Sequence, residues 1–319
     1  MLQKIGMISF YFLLLWCINS CASDAHDITQ VWQYVDFDES MQVAQFPRAL
    51  KMTEKVFGAP GKRYYNFFKE LYYQNNLTAL RQKGIVLGEK IPKMIHQIWI
   101  GSPLPEAFQD LCNSWKLYHN SRGWLYKLWT DDDVDLLDLY NRCFFEETKK
   151  PGIRSDLMRY EIVYKFGGFY LDTDFECLQP LDDLCGYDFV TALQPLDAYI
   201  VQLGLAFYGS RPGHPILEHC IKTVKDDWLL RTTPCKTGPI HFTKSFVATA
   251  GKAGNIDIGL PASYFYPLGA QQKEYHYDVW IEGGAYAVHH WAKSWLPVCW
   301  RSERFQKLDN DELTKGNDG

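Results

Sequence analysis

Two aspartates, Asp172 and Asp174, stand one residue apart in the stretch GGFYLDTDFE, residues 167–176. The Phe-Tyr-Leu before them is typical of a β-strand, in which positions i and i+2 lie on the same face. Two carboxylates on one face repel each other unless a positive group lies between them. The usual group is a divalent cation, which prefers oxygen ligands. The spacing therefore predicts a site for Mn²⁺ or Mg²⁺ at these two residues.

A segment near the carboxyl end, AVHHWAKSW at residues 287–295, offers histidines as further ligands. A neutral imidazole binds manganese and similar ions. Because neighbouring residues on a strand point to opposite faces, at most one of His289 and His290 can reach the same ion.

The segment before the aspartates, RSDLMRYEIVYKF at residues 154–166, has the pattern of a helix. Asp156 and Arg159 are three positions apart, so they are neighbours on one helix face. Taken alone, such a pair is an ordinary surface ion pair of little energetic value. Gly167 and Gly168 end the helix and lead into the predicted strand.

The elements around this unit alternate between strand and helix. Strand patterns occur at residues 93–100 and 124–130, and a helical pattern spans residues 105–118. This order predicts an α/β fold with a largely parallel sheet. Trp99 follows the first strand, at the carboxyl edge where open α/β sheets bind ligands. Trp99 is therefore either a ligand-stacking residue or part of the core.

The ends of the chain differ from its centre. Residues 23–90 show no strand alternation and are predicted to form a helical N-terminal region. Its stretch RYYNFFKELYY has an apolar helix face, which we expect to pack on the main domain, with a membrane contact as the alternative. Residues 301–319 form a polar tail.

The first 22 residues have the pattern of a targeting segment, with Lys4 before an apolar run and a small-residue site around Cys21. They predict a cleaved signal peptide and therefore the secretory pathway or export; a retained signal-anchor and lipidation at Cys21 are the alternatives. The formal net charge of -5 argues against a nucleic-acid partner.

Four segments occur in the order HQIWIG, SDLMRYEIVYKFGGFYLDTDFECLQPL, TGPIHFT and VHHWAKSW. Over residues 91–300 they resemble the DxD-containing glycosyltransferases of the sugar-binding-region family. That family includes yeast initiating mannosyltransferases and inositol-phosphoceramide mannosyltransferases, and is related to the catalytic domains of clostridial glucosylating toxins. The resemblance implies a GT-A fold, which is Rossmann-like, with a mostly parallel sheet flanked by helices.

The resemblance also implies roles for individual residues. It assigns catalytic positions to Asp156, Arg159, Asp172 and Asp174. It assigns donor-binding positions to Trp99, Ser155, Ser294 and Trp295. Tyr170, two positions before Asp172, would share its face by strand alternation and is a further donor-binding candidate; packing of its phenol in the core is the alternative. Asp174 would be the firmer metal ligand and Asp172 would also meet ribose or sugar. His290 would be the third metal ligand, because the family has a histidine four residues before its Ser-Trp pair.

One position departs from the family pattern. Relatives often carry an asparagine before the segment FYGSRPGHP, and Leu205 stands at that place here. A contact to the donor sugar would be lost, which leaves the identity of the sugar open.

The resemblance implies a metal-dependent, retaining transfer of a hexose from GDP-mannose or a UDP-hexose to a glycan, lipid or protein hydroxyl. A secreted nucleotide-sugar-binding protein without turnover is the alternative. Phosphatases of the haloacid-dehalogenase type also use Asp-x-Asp, but they need Thr or Val where this chain has Glu176.

Overall fold

The computed structural model describes residues 32–292. The predictions for residues 1–22, for Ser294 and Trp295 and for the tail from residue 301 lie outside this range.

A six-stranded sheet forms the centre of the fold, in the order β2-β1-β3-β6-β5-β7. Its strands, with the small pair β4 and β8, are β1 (Met94–Ile98), β2 (Leu125–Trp129), β3 (Gly168–Leu171), β4 (Phe175–Cys177), β5 (Phe189–Leu193), β6 (Leu203–Ser210), β7 (Asp257–Leu260) and β8 (Ala287–His289). Only β6 runs against the other five strands of the large sheet. The predicted α/β class, with a mostly parallel sheet, is confirmed.

Helices cover the sheet, and their bounds are α1 (Phe37–Met41), α2 (Pro47–Phe57), α3 (Gly61–Asn75), α4 (Leu77–Gln82), α5 (Glu106–His119), α6 (Arg142–Glu147), α7 (Pro151–Phe166), α8 (Pro215–Asp227), α9 (Thr233–Lys236), α10 (Pro239–Thr249) and α11 (Tyr277–Glu282). Residues of β3, β5, β6 and β7 are all buried. Strands covered on both faces read as apolar runs, as these do.

The two glycines after α7 let the chain turn directly into β3. Gly167 has φ +67° and Gly168 has φ +92°, a backbone conformation that favours glycine. A Cβ on Gly168 would also lie 2.6 Å from the carbonyl oxygen of Met94 in β1. The glycine pair therefore fixes how α7 and its charged residues sit against the end of β3.

The second sheet has two strands, β4 and β8, and it positions residues of the candidate site. Strand β4 pairs antiparallel with β8, and Phe175 lies opposite His289. The residues between β3 and β4 form a turn, closed by the hydrogen bond from Phe175 N to Asp172 O at 3.1 Å. The DxD motif therefore lies in a turn between two strands. The prediction that its two carboxylates lie on one face because they are on a strand is wrong.

The apolar face of α3 packs on the main domain. Phe68 is fully buried, and its ring lies 5.8 Å from the ring of Phe246 in α10. Asn75 Nδ2 donates a hydrogen bond of 2.8 Å to the carbonyl oxygen of Asp257 in β7. This face is therefore a packing surface. Within residues 32–292, no helix combines the length and apolarity needed to cross a bilayer.

Candidate active site

Asp174 is a buried carboxylate that is bound from two sides. Its Oδ2 accepts a hydrogen bond of 2.9 Å from the backbone N–H of Ala292, and its Oδ1 lies 3.2 Å from Nε2 of His289. Burial acts to raise the pKa of Asp174, but the adjacent His289 and the Ala292 hydrogen bond outweigh it, so the pKa lies below its ordinary value. Asp174 is therefore held as a carboxylate.

Asp172 takes its partners from the opposite side. Its Oδ1 lies 3.0 Å from Nη1 of Arg159 and accepts a hydrogen bond of 2.6 Å from the hydroxyl of Tyr170. The Gln97 side chain in β1 donates to the backbone oxygen of Asp172 at 3.1 Å. Because each aspartate has its own positive or donor group, the two can lie close together without a cation between them.

Asp172, Asp174 and His289 form a group that could hold a metal ion. One ligand atom from each of the three lies within 4.8 Å of the others. The buried Nδ1 of His289 has no hydrogen-bond partner within residues 32–292. Two carboxylates and one imidazole are a donor set that divalent ions such as Mn²⁺ accept. The residues therefore fit the predicted divalent cation.

His290, the predicted third ligand, does not lie in the group that could hold the metal, and His289 lies there in its place. The imidazole of His290 faces away from the two aspartates: its Nε2 lies 2.9 Å from Oε2 of Glu176, and its Nδ1 lies 3.2 Å from the hydroxyl of Tyr275. His289 and His290 face opposite ways, as neighbouring residues on a strand do. The pairing of β8 with β4 turns His289, and not His290, toward Asp174.

This geometry gives a direct test. We expect His289→Ala to weaken Mn²⁺ binding at least about tenfold, since even outer groups around a metal change affinity by that much. His290→Ala removes another buried imidazole, one residue away, and should change the affinity much less. Electron paramagnetic resonance of free Mn²⁺ during a titration measures both. Equal losses in the two variants would contradict the assignment of His289.

Arg159 is buried between two carboxylates, so its pair with Asp156 is not a surface ion pair. Its Nη1 lies 3.0 Å from Asp172 and its Nη2 lies 3.4 Å from Oδ1 of Asp156. The guanidinium stands over the ring of Tyr170, 4.4 Å from its centroid. Ser155, one turn earlier on α7, accepts a hydrogen bond from Nη2 at 3.0 Å. Arg159 is therefore fixed as a positive charge behind the DxD turn.

Asp156, Arg159 and Asp172 form the charged cluster of the site, in which Asp156 is the more buried carboxylate, 9% exposed against 31% for Asp172. Its Oδ2 accepts a hydrogen bond of 2.8 Å from the hydroxyl of Thr237, in the TGP segment. Burial raises the pKa of Asp156 to about 7; Arg159 and Thr237 offset only part of that effect. One guanidinium shared with Asp172 does not fully balance two carboxylates. Asp156 therefore carries a proton far above the pH at which an exposed aspartate loses it.

The raised pKa of Asp156 predicts a pH dependence of stability. Between its ordinary value of 3.8 and about 7, the folded chain binds one more proton than the unfolded chain. The contribution of Asp156 to the free energy of unfolding therefore falls as pH rises through this window, by at most about 1.4 kcal/mol per pH unit, and levels off above it. Asp156→Asn removes this dependence.

Urea unfolding of the wild type and of Asp156→Asn at several pH values between 4 and 8 measures the effect. The variant should gain stability relative to the wild type up to about pH 7 and gain nothing further above it. A stability difference that stays constant across the range would show that Asp156 ionises normally.

Trp99 lies at the same edge of the sheet, directly after β1. Its Nε1 donates to the hydroxyl of Ser102 at 3.2 Å and to the carbonyl oxygen of Pro103 at 3.1 Å. It lines a cleft of about 430 Å³ together with Thr130 and Asp131, which follow β2. The side chain is partly exposed and not a core residue. Stacking of a nucleobase on it stays a prediction.

Leu205, which departs from the family pattern, contacts the site through its backbone. Its side chain is buried, and its backbone oxygen accepts a hydrogen bond of 3.3 Å from Nη1 of Arg159. The main chain of β6 thus still contacts the charged cluster at the position where relatives often have asparagine.

Tyr266 is a neighbour of the site that the sequence did not reveal. Its buried hydroxyl has no hydrogen-bond partner within residues 32–292. Burial first, and then the nearby Asp172 and Asp174, raise the pKa of Tyr266. A Cβ on Gly204 would lie 1.9 Å from this hydroxyl, so only glycine fits beside it. Tyr266 belongs to no motif, and its approach depends on a contact distant in sequence.

Residues 105–190 match the family described as "Glycosyltransferase sugar-binding region containing DXD motif". This range contains the charged pair of α7 and both aspartates of the turn.

The chain is also similar to two individual curated proteins. The chain is 31% identical over 142 residues to inositol phosphoceramide mannosyltransferase 1 of Schizosaccharomyces pombe, which covers 42% of each chain. It is 32% identical over 159 residues to lactosylceramide 4-alpha-galactosyltransferase of Rattus norvegicus, which covers 44% of this chain and 41% of that one. The chain thus spans less than half the length of these two relatives.

A solved structure titled "PaToxG Glycosyltransferase" superposes with a TM-score of 0.42 at 13% identity, covering 65% of this chain and 80% of that one. Residues 105–190 are thus similar to a glycosyltransferase sugar-binding region with its DXD motif, and the predicted resemblance to DxD-containing glycosyltransferases is confirmed.

Proposed function

We propose that the protein is a metal-dependent glycosyltransferase that moves a hexose from a nucleoside diphosphate sugar to a hydroxyl acceptor. The observation that carries this proposal is the convergence of Asp172, Asp174 and His289 within 4.8 Å, with Arg159 3.0 Å from Asp172. These groups suit a reaction in which a diphosphate leaves a sugar and negative charge builds on its oxygens.

Each group at this site would have a separate role. A divalent cation, when bound, would neutralise charge on the departing diphosphate. Arg159 holds a fixed positive charge behind Asp172 and keeps that carboxylate oriented. The Tyr170 hydroxyl fixes the same oxygen of Asp172 from a second direction. Because these contacts exist before a ligand arrives, the site is organised in advance for charge stabilisation.

Retention at the anomeric carbon is part of the proposal. A double displacement would need a free carboxylate beside that carbon. Asp172 and Asp174 would hold the cation, and Asp156 is buried against Thr237 and Arg159, so none of the three is available as that nucleophile. We therefore infer attack from the same face as the leaving group, with an oxygen of the departing phosphate taking the proton of the acceptor hydroxyl.

The donor and the acceptor are proposed by class. The cleft at Trp99 would take the nucleobase of a GDP- or UDP-linked hexose, with an aromatic face for stacking. The names of the two curated relatives each include a ceramide lipid, inositol phosphoceramide in one and lactosylceramide in the other. We carry this over as a hydroxyl on the headgroup of a lipid acceptor, with association to a membrane of the secretory pathway.

Nucleotide release by the purified chain tests the proposal. UDP- and GDP-hexoses are incubated with and without Mn²⁺, first without acceptor and then with glycolipid headgroups. We expect metal-dependent release from one donor. Metal-dependent binding of a donor with no release under either condition would favour a binding protein without turnover. Neither binding nor release would overturn the donor site.

A further inference from the structure

A basic cleft lies at the amino end of α7, apart from the carboxylates of the turn. We define it by its four cations, Lys149, Lys150, Arg231 and Lys236, around a cavity of about 330 Å³. Glu147 is the one carboxylate in its lining, and it accepts a hydrogen bond of 3.0 Å from the indole of Trp228. The whole chain has 33 basic and 38 acidic residues, so four cations around one cavity are not a general property of its surface.

These cations have no carboxylate partner within the part of the chain that the structure describes. Within residues 32–292, none of the four forms an ion pair with a carboxylate, whereas Arg211 and Lys90 share Asp188. Lys236 lies over the ring of Trp228, 4.9 Å from its centroid. Unpaired cations held around a concave surface attract a multiply charged anion, such as a phosphate.

An apolar tip adjoins the basic cleft. The loop after α8 continues from the buried Trp228 into Leu229, which is 92% exposed, and Leu230, which is 38% exposed. Arg231 of the basic cleft follows at once. Single exposed leucines are ordinary. Two in succession at a loop tip, beside a cluster of cations, match the pattern of surfaces that enter the interface of an anionic bilayer.

The basic cleft also borders the candidate active site. Ile153 lines it and lies one turn before Asp156 on α7, so the two share a helix face. Thr233 and Lys236 line it as well, and the chain reaches Thr237, the partner of Asp156, immediately afterwards. A phosphate in the basic cleft would therefore place the attached headgroup beside the charged cluster.

We propose that the basic cleft and the loop Trp228–Arg231 form a docking surface for an anionic lipid bilayer. The leucines enter the interface and the cations bind phospholipid phosphate. The orientation of an acceptor headgroup toward Asp156 rests on the proposed function, whereas binding to the bilayer does not.

Sedimentation of the full chain with vesicles tests the surface. Vesicles of phosphatidylcholine alone are compared with vesicles that also contain phosphatidylinositol. Lys149→Ala combined with Arg231→Ala should weaken binding to the anionic vesicles about fivefold for each charge removed. Leu229→Ser combined with Leu230→Ser should weaken it on the same vesicles through lost burial of apolar surface. Any contribution of the residues before Trp32 is the same in all proteins.

Two control variants match these changes on another part of the surface. Lys51→Ala with Lys55→Ala removes two exposed charges of α2, and Leu117→Ser removes a leucine that is 68% exposed on α5. Both should bind the vesicles as the wild type does. Equal binding by the cleft variants and the wild type would overturn the proposal.

Two further measurements separate the possible sources of phosphate and the two proposals. If the cleft variants lose binding of inorganic phosphate but keep binding to anionic vesicles, the basic cleft is a soluble-phosphate site and the bilayer assignment is wrong. If they lose vesicle binding while metal-dependent nucleotide release continues, the docking surface is supported independently of turnover. If no protein releases nucleotide but the cleft variants still lose vesicle binding, the proposed function fails and the docking surface stands.

Discussion

Asp174→Asn is expected to lower metal-dependent nucleotide release by about 10²- to 10³-fold, the usual cost of losing one charge contact in a transition state. The asparagine has nearly the same shape as the aspartate. Its oxygen can still accept the N–H of Ala292, and its amide can face Nε2 of His289. The substitution therefore removes the charge and leaves the fold of the turn in place.

The measurement is the rate of nucleotide release at saturating donor and Mn²⁺, with urea unfolding to check the fold. Asp188→Asn is the matched control. Asp188 is also a buried carboxylate, bound by Lys90 at 2.6 Å and Arg211 at 3.1 Å. It directly precedes β5, at the edge of the sheet opposite to the site. Its variant should lose stability but keep its rate per folded molecule.

A loss of less than about tenfold in Asp174→Asn would contradict the role given to this charge. So would an equal loss of rate in both variants, because that result would trace the effect to general damage.

The part of the site that the sequence predicted is the part built from neighbouring segments. Helix α7, the two glycines and β3 follow one another directly, so Arg159 and Asp172 are placed by local backbone geometry. The glycine signal and the helical period both act over a few residues, which a single sequence reveals. The alternation of strand and helix predicted the class of the sheet for the same reason.

The part that the sequence missed depends on pairing between distant segments. Whether His289 or His290 faces the aspartates is set by the register of β8 against β4, which are more than a hundred residues apart. The hydroxyl of Tyr266 reaches the site because Gly204 leaves space for it. Neither contact has a periodic signal, since each comes from tertiary packing.

The DxD segment forms a turn where the sequence predicted a strand, and the cause is similar. The backbone N–H of Asp172 still pairs with the carbonyl oxygen of Ala206 at 2.9 Å, which extends the pairing of β3 with β6. The chain then turns to reach β8, a partner outside the large sheet. Propensity alone could not indicate this change of sheet.

Arg159→Ala is expected to destabilise the fold by about 3–5 kcal/mol, the range for breaking a buried ion pair by removing one partner. It would leave Asp156 buried without its cation and would remove one of the two groups that bind the carboxylate of Asp172. It would also remove the cation over the ring of Tyr170. Arg159→Lys keeps the charge but loses the planar fork, so it should fall between the wild type and the alanine variant.

The pH dependence separates lost charge from lost packing. The cation acts to lower the pKa of Asp156, so removing it raises that pKa further above about 7. The variant must then lose stability more as pH rises, with the smallest deficit where Asp156 is protonated in both proteins. Urea unfolding at pH 5 and at pH 8 measures the two deficits. Equal deficits would indicate that lost packing, and not an unpaired carboxylate, causes the destabilisation.

A double variant completes this test. If the cost of Arg159→Ala comes from an unpaired Asp156, then adding Asp156→Asn should recover a large part of it at pH 8, because no buried charge is then left on that side. Asp172 is 31% exposed, so water can compensate it in part when the guanidinium is gone. Additive losses in the double variant would place the cation's main interaction at Asp172. Strong recovery would show that Arg159 serves two carboxylates and that the buried one dominates its contribution to stability.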